Sequence, residues 1–288
     1  MAPQGKPGDW RDLVNGAVLQ CVEAATLGMP FEVWKTRMGR FTHESTFTAF
    51  RNVYLEGGGV YAFWRGTSAK MVESASKGAV LLYSKELILN SMEAAGFSNT
   101  VSGFVAGAGA GVCQTTVMGP CTFLVTAVVT GKEKTSVTAK AVEVWKAQGI
   151  KGFYPGGTAI AFRQATNWAS RQGLTEWVRG MLRRRNHGGD PSAKLTVGEE
   201  VTSGILGGAL SAWNQPFEVA RIQMQAAANE GKPKQNMLQV FQSIVKQQGV
   251  GGLFTGIVPR VGLGIWQTLF MVTGAKLVKQ MLQGGGGK

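Results

Sequence analysis

The stretch "PFEVWK", Pro30 to Lys35, sets a proline, an acid two residues on and a base five residues on at the end of an apolar, glycine-rich run. It nearly returns as "PFEVAR", Pro216 to Arg221, after a run of the same kind. A proline in an apolar helix removes one backbone hydrogen bond and bends the helix. An acid and a base just past the bend can form ion pairs with a neighbouring helix. Two copies of such a device call for a search for repeats.

A second pattern fixes the period. "GVYAFWRG" runs from Gly59 to Gly66, "GIKGFYPG" from Gly149 to Gly156 and "GVGGLFTG" from Gly249 to Gly256. The three starts lie 90 and 100 residues apart. The 29 residues between Pro30 and Gly59, counted back from Gly149, reach Pro120 in "GPCTFLV". This middle copy keeps the proline but has Thr122 and Val125 in place of the acid and base. The chain therefore divides into repeats over residues 1–100, 101–195 and 196–288.

Each repeat opens on a helix rich in small residues. Gly103, Gly107 and Gly111 are spaced four apart, as are Gly204, Gly208 and Ala212, a face that lets helix backbones approach closely in lipid. A short amphipathic helix follows. Phe47, Phe50 and Tyr54 mark its apolar stripe in the first repeat, Val137, Ala141 and Val144 in the second, and Leu238, Phe241 and Ile244 in the third. Such stripes beside Lys and Arg suit the membrane interface. A long, mostly apolar helix of about 20 to 25 residues, enough to span a bilayer, begins after Gly66, Gly156 and Gly256. The expected fold is all-α, with six membrane spans and three surface helices in three-fold pseudosymmetry around a central cavity.

Composition agrees. Charged residues make up 16% of the 288, well under the soluble average of about 25%. A mean hydropathy of +0.01 suits helices that meet lipid on one side and water on the other. The net charge of +13 points to an anionic partner: a small molecule, a lipid or a nucleic acid. The basic run "RRRNHGG", Arg183 to Gly189, is short and sits in a connector, which argues against nucleic acid. Cys21, Cys113 and Cys121 form no CxxC pair, and His43 and His187 lie in polar connectors. No metal, cofactor or enzymatic role is expected: the chain has no P-loop, HExxH or GxSxG. The N-terminal "MAPQGKPGDWRD" has no apolar core of a secretory signal.

Three repeats of this length, each with a proline motif closing its first helix, resemble the mitochondrial carrier family over nearly the whole chain. The resemblance implies a multi-pass protein of the inner mitochondrial membrane that works by alternating access, usually as a monomer. Pro30, Glu32, Lys35, Pro120, Pro216, Glu218 and Arg221 then form a matrix-side gate. With the middle repeat uncharged, one cross-repeat pair remains, Glu32–Arg221 or Glu218–Lys35. The gate is weakened unless polar Gln or Thr contacts compensate, and a carrier-like subunit of a larger membrane complex could tolerate that loss. The opposite gate is expected at Glu86, Glu176, Arg179, Lys276 and Lys279, where only Glu176 and Arg179 keep both charges of the family pattern. Helix starts at Gly66, Gly156 and Gly256, with Arg65 assisting, are implied cardiolipin sites.

Aligned on the same three glycines, the second helices carry one polar face: Lys70, Glu73, Lys77, Arg163, Asn167, Arg171, Arg260 and Gln267. Ionisable residues in spans are expensive unless they meet water or a partner. Five bases against one acid suit a di- or tricarboxylate, which Arg binds in a bidentate fork. Glu73 is expected to modulate this charge, pairing with Lys77 when the site is empty. By resemblance, Arg163 followed by Gln164 marks carboxylate carriers. "ESASKGAVLL", "RQATNWASRQGL", "LSAWNQPFEV" and "PRVGLGIWQTLFMV" are similar to family members that exchange citrate for 2-oxoglutarate. Phosphate, sulfate or an acidic amino acid are the other anions the residues leave open.

Overall fold

The structure is a computed structural model. It describes the backbone of residues 10–97, 99–131, 135–186, 188–190, 193 and 195–284, and excludes the side chains of 10–16, 99–101, 104, 168, 169, 171–173, 176 and 271–284. Twelve α-helices and no strand occur among the described residues. The first repeat holds α1 (Trp10–Glu23), α2 (Met29–Arg40), α3 (Thr46–Gly57) and α4 (Thr67–Ala94). The second holds α5 (Asn99–Cys113), α6 (Thr115–Thr130), α7 (Val137–Gln148) and α8 (Gly157–Asn186). The third holds α9 (Val197–Leu210), α10 (Gln215–Asn229), α11 (Met237–Gln248) and α12 (Ile257–Gly284).

The helices close a ring. α1 packs on α4, α4 on α5 and α6, α8 on both of these, α9 and α10 on α8, and α12 on α9, α1 and α2. At one end α2, α6 and α10 all meet one another. α5 packs on the long helices α4 and α8. Its fully buried small residues are Ser102, Ala106 and Ala110, whereas a Cβ on Gly103 or Gly107 would meet nothing within 4 Å. The expected glycine face is corrected to this neighbouring one. No single helix among the described residues is long and apolar enough to cross a membrane by itself, and the mostly apolar reading of the long helices is corrected here. Only Val105–Cys113 with Thr115–Thr130, bent by 43°, passes as a pair. The reason is local: α4 and α8 each turn a charged face into the ring.

Each first helix is broken near its proline. A wide π-helical turn, Ala24–Gly28, separates α1 from α2, and a 3-10 turn, Ser211–Asn214, separates α9 from α10. Pro30 and Pro216 then sit at the second position of the following helix, where a missing N–H costs little. Pro120 lies inside α6, and that chain breaks earlier, at Gln114.

A proline orphans the carbonyl four residues before it. For Pro30 that is Thr26, whose oxygen accepts from Trp64 Nε1 at 3.2 Å, while Ala25 O accepts from the same group at 2.8 Å. For Pro120 it is Thr116, whose oxygen accepts from the Tyr154 hydroxyl at 2.7 Å. Trp64 and Tyr154 hold the same place in the two glycine-aromatic motifs. The third copy has Phe254, which cannot donate, and there the Gln215 N–H bonds Ala212 O within the 3-10 turn. The two sequence motifs are thus one structural unit: the aromatic side chain of each of the first two repeats satisfies the carbonyl its proline orphans.

The glycines that end those motifs, Gly66, Gly156 and Gly256, have φ of +90°, +72° and +79°, conformations that favour glycine. A Cβ on them would meet, respectively, Val125 Cα at 3.4 Å, Arg221 O at 3.3 Å and Lys35 O at 3.3 Å. These three residues occupy the base position of the next repeat's proline motif. The contact therefore runs around the ring from each repeat to its successor.

The surface helices start on side-chain caps from Ser45, Ser136 and Asn236. In the first repeat the expected stripe of Phe47, Phe50 and Tyr54 is exposed, and Ala49 and Val53 form the buried row instead. In the third the expected stripe splits between buried and exposed residues. Val144 and Ile244 are buried, with Val53 and Val240 beside the equivalent faces, whereas Phe47 is 76% exposed and Leu238 65%. The helices carry one apolar row into the protein and leave a second row outward.

Candidate functional site

The ring encloses a cavity of about 230 Å³. α4 supplies Lys70, Glu73 and Lys77; α8 supplies Arg163, Gln164 and Asn167; α12 supplies Arg260 and Gln267. Eight of the nine residues proposed for substrate from the sequence thus line one space. The side chain of the ninth, Arg171, lies outside the described residues. Helical spacing explains the convergence, since steps of three and four keep side chains on one face.

The floor of the cavity is the meeting point of α2, α6 and α10. Lys35 Nζ lies 2.9 Å from Glu32 Oε1 and 2.9 Å from Glu218 Oε1. Arg221 forks onto Glu218 through Nε and Nη2, both at 2.9 Å. Of the two cross-repeat pairs the sequence allowed, the structure forms Lys35–Glu218. Glu218 and Arg221 are each 1% exposed, so these charges meet in a buried, low-dielectric space where an unmatched partner is expensive.

The middle repeat contributes through neutral groups. Arg221 Nη1 donates to Gln225 Oε1 at 2.7 Å, Thr126 Oγ1 donates to the same oxygen at 3.0 Å, and Gln225 Nε2 donates to Thr122 Oγ1 at 3.1 Å. Thr122 stands where the other repeats carry glutamate. Two cavity cations also reach the floor. Arg163 Nε lies 3.2 Å from Glu218 Oε2, and Lys70 Nζ lies 3.7 Å from Glu32 Oε2. Lys70 also binds Glu73 at 3.0 Å. The expected Glu73–Lys77 pair is therefore corrected: Glu73 points down the helix to Lys70, which shares its charge with Glu32. No ion pair of Lys77 occurs among the described residues.

Above the floor, a polar belt ties the helices together. Gln114, at the break before α6, donates to Lys77 O at 2.8 Å and accepts from Gln164 Nε2 at 2.8 Å. Arg260 donates to Gln215 Oε1 at 2.8 Å and to Asn214 Oδ1, while Asn214 donates to Arg163 O at 3.3 Å.

At the other end the described residues include only part of the expected gate. Arg179 binds Glu200 at 2.6 Å, Glu86 is exposed, and the side chains of Glu176, Lys276 and Lys279 lie outside the described residues. The molecule is closed at the proline end.

The comparisons with known proteins follow the same three-part division. A family model described as mitochondrial carrier protein matches residues 6–94, 97–186 and 193–286. The chain belongs to the mitochondrial carrier protein family. The carrier is 34% identical to the citrate/oxoglutarate carrier protein of Saccharomyces cerevisiae, over 96% of this chain and 91% of that one. It is 29% identical to the mitochondrial tricarboxylate transport protein of Bos taurus, over 71% of this chain and 66% of that one. It is 28% identical to a mitochondrial adenyl nucleotide antiporter of Mus musculus, over 87% of this chain and 53% of that one. Members of this family are transporters and not enzymes.

Sequence reasoning missed Gln114, which lines the cavity, and the buried polar groups Glu23, Thr126, Asn214, Gln215 and Gln225, which lie outside its lining. Most are neutral and carry no motif spacing. Glu23 had a signal, an acid alone in the small-residue run seven residues before Pro30.

On the outside of the carrier, a groove of about 400 Å³ leads to the start of α8. Gly156, Gly157 and Thr158 line it with Lys151, Lys232 and Lys234. Helix starts present unpaired N–H groups. Arg65 lines a smaller pocket, of about 180 Å³, with Arg37 and Glu56.

Proposed function

We propose that this chain is an inner-membrane antiporter that exchanges citrate for 2-oxoglutarate by alternating access. The observation that carries the reading is the convergence of Lys70, Lys77, Arg163 and Arg260 on one cavity whose floor is a buried charge cluster. Citrate presents three carboxylates, and two guanidinium groups and two ammonium groups supply a matching set of donors. The relative from Saccharomyces cerevisiae, named for citrate and oxoglutarate, supports the choice of substrates.

The mechanism follows from shared charge. Arg163 and Lys70 serve the cavity and the floor at once. An anion that takes them for its own carboxylates withdraws cation from Glu218 and Glu32. The floor loses part of its cohesion as the anion binds, so binding energy is spent on the conformation in which the proline end opens. A ligand shifts such an equilibrium by its differential affinity for the two states. On this reading Pro30, Glu32, Lys35, Pro120, Pro216, Glu218 and Arg221 form the matrix-side gate. Glu86, Glu176, Arg179, Lys276 and Lys279 close the opposite side after reorientation. Each of the three repeats contributes one pair of spans to a monomer. The basic groove at the start of α8 receives an anionic headgroup such as cardiolipin, consistent with anion binding at helix N-termini.

The test is exchange in reconstituted liposomes. Vesicles loaded with labelled citrate are expected to release it when 2-oxoglutarate is added outside. A panel of other anions then ranks specificity. No exchange with any di- or tricarboxylate would return the protein to the reading of a carrier-fold subunit without transport.

A further inference from the structure

We propose that Gly208 and Gly264 are specificity-determining residues: they keep a recess open in the third repeat's wall of the cavity, and the recess admits the branched body of a tricarboxylate. The inference rests on the anion-exchange reading and deepens it by naming what sets the size of the anion.

The two walls of the cavity differ in kind. α4 and α8 bring Lys70, Lys77 and Arg163. α9 stands between α8 and α12 in the ring, across from α4. Its lining includes Ile205, Gly208, Ala209 and Ala212, none of them charged. On α12, Gly264 lies four residues after Arg260 and three before Gln267, so the three share the face that lines the cavity. In the repeat register Gly264 matches Ser74 and Gln164, each eight residues after its own motif glycine.

A glycine inside a helix calls for a reason, because it weakens the helix against alanine. Two common reasons fail here. Neither Gly208 nor Gly264 has a positive φ. Neither relieves a clash, since a Cβ on either would meet nothing within 4 Å. Their neighbours on the same helices behave otherwise. A Cβ on Gly204 would stand 2.8 Å from Thr268 and one on Gly262 2.7 Å from Phe31, and one on Gly207 would overlap Thr175. Those three glycines serve helix packing. The four-residue spacing that groups Gly208 with Gly204 is therefore divided by the structure: Gly204 meets α12 and Gly208 meets the cavity. What remains for Gly208 and Gly264 is the volume of the missing side chain, inside a cavity of only about 230 Å³.

An anion held by the cations of α4 and α8 turns the rest of its body toward α9 and α12. 2-Oxoglutarate is a linear chain with a carboxylate at each end. Citrate carries a third carboxylate and a hydroxyl on its central carbon, so it is widest at the middle. A side chain at either glycine fills the space that this width needs, and the linear anion loses less. Discrimination by a single methylene in a shaped pocket amounts to roughly 10- to 200-fold.

Homo-exchange in liposomes reads each anion separately: labelled citrate against citrate, and labelled 2-oxoglutarate against 2-oxoglutarate. Gly208→Ala and Gly264→Ala are expected to raise KM for citrate about tenfold relative to KM for 2-oxoglutarate, and Gly264→Leu to raise it further. Alanine is the better helix former and meets open space at both positions, so these two variants keep the fold. Gly204→Ala is the packing control, expected to lower the thermal unfolding midpoint and to leave the ratio of the two KM values in place. Equal losses for both anions in the alanine variants would assign the glycines to helix contacts of the reoriented state; that result overturns the proposal and leaves the carrier reading standing. A ratio unmoved in every variant, or moved as far by Gly204→Ala as by Gly208→Ala, overturns it as well. A wild-type protein that exchanges neither anion removes both readings together.

Discussion

The second and third repeats reach the same closed floor with different chemistry. The third brings Glu218 and Arg221, both buried and bonded to each other. The second brings Thr122 and Val125 at the matching positions, and its contribution comes from Thr122 and Thr126 through Gln225. It also sends Arg163 from α8, its other long helix, to Glu218. A buried charge cluster needs every charge to meet a partner, and it does not need each repeat to supply one pair. Buried ion pairs are close to neutral in net energy against well-made alternatives, so replacing one pair by neutral hydrogen bonds costs the closed state little.

The largest effect is expected at the carboxylate on which three cations converge. Glu218→Gln leaves Lys35, Arg221 and Arg163 facing a neutral amide. The closed conformation should weaken by on the order of 3–5 kcal/mol, the cost of breaking a buried pair from one side. Thermal unfolding of the detergent-purified protein reads it as a clear drop in midpoint. An unchanged midpoint would mean that the neutral contacts, not the charges, hold the floor.

Next in size is the amide that joins the two kinds of repeat. Gln225→Ala removes the acceptor for Arg221 and Thr126 and the donor to Thr122. A loss of about 1–3 kcal/mol is expected from the buried groups left unpaired, while Gln225→Glu should retain the acceptor role toward Arg221. Equal losses in the two variants would separate packing from hydrogen bonding.

Smaller still is the aromatic prop behind each bend. Tyr154→Phe leaves Thr116 O without its donor and should cost about 1 kcal/mol. Phe254→Tyr, the reverse change in the third repeat, should gain nothing, because Gln215 N–H already bonds Ala212 O. A gain there would show that the third bend is less complete than the first two.

The smallest effect lies outside the ring, where the first repeat has charges that its relatives lack. Arg37 corresponds to Ala127 and Gln223 in the other repeats, and it binds Glu44 at 2.6 Å and Glu56 at 2.7 Å. Burial opposes ionisation of Glu44, but hydrogen bonds from Arg37 and Asn52 prevail and hold its carboxyl below the usual range. A depressed folded value stabilises the protein above the unfolded carboxylate range, near pH 4. That contribution is lost as pH falls through the lower folded value. Glu44→Gln should therefore lower the unfolding midpoint slightly at neutral pH and converge with the wild type in acid. A difference that persists unchanged into acid would assign the effect to packing.

Sequence alone determined the repeat, the bends and the polar face of the second helices. These rest on local rules: proline geometry, glycine at positive φ, and the three-to-four-residue period of a helix. Tertiary structure decided which charge meets which. Lys35 finds Glu218, Glu73 turns to Lys70, Arg163 descends to the floor, and Trp64 and Tyr154 reach carbonyls in helices 38 residues away. Such partners depend on distances across the ring, and a long side chain within reach of several charges takes its partner from the packing of all its neighbours.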